Sequence, residues 1–157
     1  PQIPAVDVHS VLEDVARFLR PVRERGGIGL EVERHALSSE VDGDEVQLRQ
    51  IFINILVNAF QAMAGRSGRV RITTREDGDH LEVDVSDEGP GIPAGMREIV
   101  FKPFFTTKPR GQGTGLGLPT SRRIAELHGG SLELVDSGAG GSTFRVRLRL
   151  RPRRVPS

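Results

Sequence analysis

Residues 44–63 read DEVQLRQIFINILVNAFQAM. Leu48, Ile51, Phe52, Ile55, Leu56, Ala59 and Met63 recur at spacings of three and four, which puts them on one buried face of a helix. Asp44 stands where an N-cap is expected. Asn54 and Asn58 interrupt the most apolar part, one turn apart on one face, and Gln47, Gln50 and Gln61 continue that polar stripe. Asparagine forms helix poorly and is costly to bury without partners. Either a neighbouring loop hydrogen-bonds the stripe, or the stripe lines a polar ligand site.

The 157 residues suffice for one domain with a core. A net charge of +1 gives no electrostatic case for nucleic acid as a partner. No apolar run approaches the roughly 20 residues that cross a bilayer, so no direct membrane contact is expected. The absence of cysteine excludes disulfides and thiolate metal sites and fits a reducing, cytoplasmic setting. Arg145, Arg147, Arg149 and Arg151 alternate with Val146, Leu148 and Leu150, a strand with one solvated, basic face.

Outward from the long helix, residues 8–20 carry helical spacing, with Ser10 and Glu13 as a capping pair and Pro21 as the stop. Residues 28–34, 69–75, 81–85, 132–135 and 143–150 read as strands. Residues 76–79 and 137–141 are turns, and Gly129-Gly130 ends a second strong helix over residues 115–128. Residues 86–117 are irregular apart from a helical turn near 96–100. An irregular stretch of that length in a small domain marks function or disorder. Helices and hairpins in this order predict an α+β two-layer sandwich, with helices on one face of a mixed, mostly antiparallel sheet.

Three motifs lie in or beside the irregular stretch. Asp87-Glu88-Gly89-Pro90-Gly91-Ile92 follows a strand; an Asp there can accept from an exocyclic amine, and the glycines admit a flat ligand, although the same pattern also makes a plain turn. Phe101, Phe104 and Phe105 precede Thr106, Thr107 and Lys108, an aromatic anchor beside a point charge. Gly113-Thr114-Gly115-Leu116-Gly117-Leu118 opens the last helix, where free N–H groups can hold an anion. Its glycines match neither a dinucleotide fingerprint nor a Walker loop.

In order and spacing, these motifs and the asparagine helix resemble the histidine kinase branch of the superfamily that also holds gyrase-type, mismatch-repair and heat-shock chaperone ATPases. The long helix resembles the asparagine box, residues 87–91 the first glycine box, residues 101–108 the phenylalanine box and residues 113–118 the second glycine box. His128-Gly129-Gly130 and Gly141-Ser142-Thr143-Phe144 resemble the end of that fold.

The resemblance implies a Bergerat-type fold that binds ATP and Mg²⁺. It implies Asn58 as the Mg²⁺ ligand, Asn54 near phosphate or a metal-bound water, and Asp87 on the adenine amino group. Gly91 and Ile92 would flank the base. Lys108 and the N–H groups of Gly113, Thr114, Gly115, Leu116, Gly117 and Leu118 would hold phosphates. Thr143 would support the Asp87 end, and residues 93–112 would form a lid. Gln61, Gly89, Thr106 and Thr107 complete the implied cofactor-binding set. Gln61 stands where many relatives have Lys, Lys102 where Glu is frequent, and Glu88 where Asn is frequent.

The four histidines are followed by Ser10, Ala36, Leu81 and Gly129, none of which fits the acceptor pattern His-Glu/Asp. The resemblance therefore implies that the acceptor histidine and the general base lie on a separate dimerisation domain. Residues 1–150 read as one catalytic domain, monomeric alone, with residues 1–7 a cut linker and 151–157 a basic tail. A response regulator is the implied downstream partner, and the full protein is compatible with a membrane anchor. Two alternatives stay open: an ATP-gated conformational switch, and a nucleotide-binding regulatory module without phosphotransfer. The first needs a catalytic Glu near the metal ligand, and Glu45, more than three turns before Asn58, is the only Glu of that helix.

Overall fold

The computed structural model describes residues 3–103 and 117–152. Along the chain these form β1 (Ala5–Asp7), α1 (Val8–Phe18), α2 (Arg20–Arg25), β2 (Ile28–Arg34), β3 (Glu40–Asp42), α3 (Glu45–Ala62), β4 (Gly68–Asp77), β5 (His80–Asp87), α4 (Gly117–Leu127), β6 (Ser131–Gly138) and β7 (Gly141–Arg149). Two 3-10 turns, Ala94–Met96 and Ile99–Phe101, stand where one helical turn was expected.

Five strands form one sheet in the order β2-β4-β5-β7-β6. Only β2 and β4 run parallel; the other neighbours are antiparallel. The inner face carries Val70, Ile72, Leu81, Val83, Val85, Phe144, Val146, Leu148 and Leu132, all buried. Leu48, Ile51, Phe52, Ile55 and Leu56 of α3 are 0% exposed in the same core. Strand alternation and helical spacing thus present two apolar surfaces to each other, giving the expected α+β sandwich.

Two local expectations need correction, and one small sheet was not expected. Asp7, not Ser10, caps α1: its carboxylate accepts from the His9 N–H at 3.0 Å and from the Ser10 hydroxyl at 3.1 Å. Pro21 does not stop a helix running to residue 20. α1 ends at Phe18, and Pro21 lies in the first turn of α2, where its missing N–H costs nothing. Residues 5–7 and 40–42 pair as a small antiparallel sheet, β1 with β3. Three-residue strands are too short to show a period of two.

Two arginines on the basic face of β7, Arg145 and Arg147, are paired within the sheet. Arg145 donates to both Asp84 carboxylate oxygens, at 2.8 and 3.0 Å. Arg147 reaches Glu82 at 2.6 Å and Asp77 at 2.8 Å, and Arg75 reaches Glu82 at 2.7 Å. Around Arg145 and Arg147 the charges therefore form a lattice across β4, β5 and β7.

Asp44 caps α3 as expected, accepting from the Gln47 N–H at 3.1 Å. The other end of the cap is less expected. Asp44 N–H donates to His128 Nε2 at 3.1 Å, while His128 Nδ1 lies 2.8 Å from Ile124 O. The pattern calls for the Nδ1–H tautomer, and the imidazole joins the end of α4 to the start of α3. Asp44→Ala is expected to cost about 1 kcal/mol, read as a lower urea midpoint at unchanged slope.

Candidate nucleotide site

α3 runs along the whole candidate site. At its C-terminal end, Ala62 O lies 2.7 Å from where a Cβ on Gly89 would stand. Nearer its middle, Asn54 donates through Nδ2 to Gly117 O at 3.3 Å and to the Ser121 hydroxyl at 3.0 Å. Asn54 Oδ1 accepts from Gln50 Nε2 at 2.7 Å. The eight-residue separation of positions 54 and 62 spans about 12 Å of helix. Asn58 is half-buried between these two contacts, and Gln61 is exposed on the last turn.

The Asp87 end is built at the end of β5. Asp87 is 6% exposed and registers with Ser142 on β7. Burial pushes its carboxyl above the usual range, against N–H donation from Gly89 and Ser142, which favours the ionised form. Two donors leave acceptor capacity on a carboxylate with about four lone-pair sites. The sign of the stability effect follows. A carboxyl raised in the folded state stabilises fully below the ordinary value of 3.8, and that contribution is lost as pH rises through the folded value. Asp87→Asn is expected to be more stable than the parent at pH 7, with the difference shrinking as pH falls through the raised folded value and gone below the ordinary value of 3.8, read by urea titrations at several pH values.

The turn after Asp87 packs closely. Gly91 has φ +79°, and a Cβ there would stand 2.0 Å from Gly138 O. Ile92 N–H donates to the Ser137 hydroxyl at 2.7 Å, and Ser137 Oγ is 2.9 Å from Ser142 Oγ. At least part of the glycine requirement in this motif thus comes from the β6–β7 hairpin. Glu88 accepts from the Arg69 N–H at 2.7 Å and so helps fix the start of β4.

Thr143 does not meet Asp87. Its hydroxyl is 2.7 Å from Ser86 Oγ, on the opposite face of the strands, and Ser142 takes the place expected of it. Alternation along β7 makes the swap inevitable once the Asp87–Ser142 register is set. Ser137 and Ser142 escaped the sequence reading because the register, not the composition of the turn, selects them.

Phe101 packs edge-on against Phe144, with centroids 6.0 Å apart and planes at 79°. The Arg122 guanidinium sits 4.3 Å from the Phe101 centroid. This part of the phenylalanine motif is an anchor on the core and α4. Leu118 packs on the core from the first turn of α4, close to Gly117. Phe104, Phe105, Thr106, Thr107, Lys108, Gly113, Thr114, Gly115 and Leu116 lie outside the described residues.

No group of three or more His, Cys, Asp or Glu able to hold a metal occurs among the described residues. A magnesium ion here would need ligands from phosphate and water beside an amide oxygen, which suits its reluctance to shed water. Among the described residues, no helix is long and apolar enough to cross a membrane.

The family described as histidine kinase-, DNA gyrase B- and HSP90-like ATPase matches residues 43–152. Sporulation kinase C of Bacillus subtilis is 42% identical over 71% of this chain and 25% of its own length. The sensor histidine kinase ZraS of Escherichia coli is 33% identical over 92% of this chain and 30% of its own length. The chain thus spans about a quarter to a third of these relatives. The nucleotide-free catalytic domain of histidine kinase ThkA superposes with a TM-score of 0.83 at 29% identity, covering 95% of this chain and 96% of that one. Full-length ShkA, solved in complex with AMPPNP, superposes at 0.80 with 28% identity, over 92% of this chain and 30% of that one. With its asparagine helix, its buried Asp87 and these relatives, the chain belongs to the histidine kinase-, DNA gyrase B- and HSP90-like ATPase family, on the sensor histidine kinase branch.

Proposed function

We propose that this chain binds Mg·ATP along α3 and presents the γ-phosphate to a histidine on a separate dimerisation domain. The observation that supports this best is the spacing along α3. A buried carboxylate with spare acceptor capacity lies by its C-terminal end, and the start of α4 is held to its middle by Asn54. That is the layout a base at one end and phosphates at the other require.

In this reading Asp87 accepts from the adenine amino group and disfavours guanine, whose carbonyl would face a carboxylate. Gly89, Gly91 and Ile92 shape the base end. Asn58 offers its amide oxygen to Mg²⁺, and Gln61 is the polar neighbour one turn on. Gly117, Leu118 and the preceding residues 113–116 hold phosphate with Lys108, Thr106 and Thr107. When bound, Mg²⁺ supplies charge neutralisation at the phosphates. The chain's own contribution is positioning and electrostatic stabilisation, with the general base on the acceptor domain. The acceptor domain, a response regulator downstream and a cytoplasmic location complete the proposal.

The test mixes this chain with a separately produced helical domain carrying the acceptor histidine, in Mg²⁺ and γ-labelled ATP. Acid-labile, base-stable label on that domain, with little phosphate release by the chain alone, is the expected result. Brisk hydrolysis by the chain alone, with no transfer, would favour the switch ATPase instead.

A further inference from the structure

The buried stripe of α4 comprises Ser121, Ile124 and Ala125. Position 121 is a core position by its spacing, yet it carries a hydroxyl at 0% exposure. A hydroxyl there is costly unless bonded. Its partner is the Asn54 side chain, 3.0 Å away.

The amide orientation is determined by its neighbours. Gly117 O can only accept, so the NH₂ of Asn54 faces α4. Its oxygen is turned to Gln50. Gly117 and Ser121 are one helical turn apart, so their oxygens stack on one face. One NH₂ group therefore spans two acceptors along the α4 axis. Sliding α4 by one residue against α3 would break both bonds.

We infer that Ser121 is a positioning residue of the nucleotide site: its hydroxyl sets the Asn54 amide and, through it, the register of the start of α4 against α3. The inference rests on the proposed reading that the start of α4 holds phosphate and α3 the metal. It assigns Asn54 as donor to α4, alongside the proposed role of Asn58 as metal ligand. Losing the hydroxyl leaves Asn54 only the longer bond to Gly117 O.

The experiment compares the parent, Ser121→Ala, Ser121→Thr, Asn54→Ala and the Ser121→Ala/Asn54→Ala double variant by calorimetric titration with Mg·ATP and, separately, with adenosine. Ser121→Ala is expected to bind Mg·ATP about tenfold more weakly, as the loss of one hydrogen bond to a fully buried hydroxyl implies. Adenosine, read at the Asp87 end, should bind as to the parent. Ser121→Thr should restore most of the Mg·ATP affinity. The double variant should match Asn54→Ala within about twofold, since the hydroxyl acts through that amide. Unchanged Mg·ATP affinity in Ser121→Ala, equal losses for both ligands, or losses that multiply in the double variant would each overturn the inference. If the parent binds no Mg·ATP, the function proposal fails, and the Asn54 side-chain NH₂ resonances of the nucleotide-free protein decide the positioning claim. They should move in Ser121→Ala, and unmoved resonances overturn it.

Discussion

Asn58→Ala is expected to weaken ATP binding about 100-fold in the presence of Mg²⁺ and by no more than about twofold in its absence. The argument starts from the two asparagines of α3. The Asn54 oxygen is committed to Gln50 and its NH₂ to α4. Asn58 lies one turn on, half-buried between that clasp and the Asp87 end. A neutral amide oxygen suits a hard cation that keeps waters and shares phosphate oxygens. Alanine also has the higher helix propensity, so the fold should not be lost with the ligand. Thermal unfolding of the variant checks this. Equal losses with and without Mg²⁺ would make Asn58 a wall of the pocket and not a metal ligand.

Gly91→Ala is expected to lower stability by about 3 kcal/mol and to abolish ATP binding. Two independent obstacles meet at this position. Its φ of +79° is unfavourable for any residue with a Cβ, and that Cβ would stand 2.0 Å from Gly138 O and 2.8 Å from Gly138 C. Both obstacles are backbone, so no side-chain rotation relieves them. The turn would have to move off the β6–β7 hairpin, breaking the Ile92–Ser137 bond and carrying Gly89 away from Asp87. Gly95→Ala is the control, since nothing lies within 4 Å of a Cβ there. Urea unfolding and ATP titration of both variants measure the contrast.

Periodicity made the long elements legible. α3 carries a seven-residue apolar stripe and a capping Asp, and its predicted span agrees with the observed one to within a residue at each end. β2 agrees at both ends, since Gly26-Gly27 marks its start and alternation its length. β1 and β3 were not legible, because their order comes from pairing with each other and not from a local pattern. The 76–79 turn also tightened on pairing: Asp77 opposes His80, leaving Gly78-Asp79 as the loop.

Residues of the candidate site are readable where a motif names the residue type and unreadable where register chooses the neighbour. Asp87 stands out by its glycine motif at a strand end, and the asparagines as polar groups in an apolar helix. Ser121, Ser137 and Ser142 do not, because serine is common in turns and tolerated in helices. Only the fold shows that all three are buried and bonded, Ser121 to Asn54 across α3 and α4, and Ser137 and Ser142 to each other in the β6–β7 hairpin, where Ser137 also accepts from Ile92. The β7 arginines illustrate the reverse. Their alternation predicts an exposed basic face, but the acidic partners come from β4 and β5, strands that are distant in sequence.

Calorimetric titration of ATP into this chain, with and without Mg²⁺, tests the central claim most directly. The account predicts saturable binding at one site per chain, strengthened by Mg²⁺ by at least about tenfold, with GTP far weaker than ATP. No binding heat, an affinity indifferent to Mg²⁺, or equal affinity for GTP would contradict it.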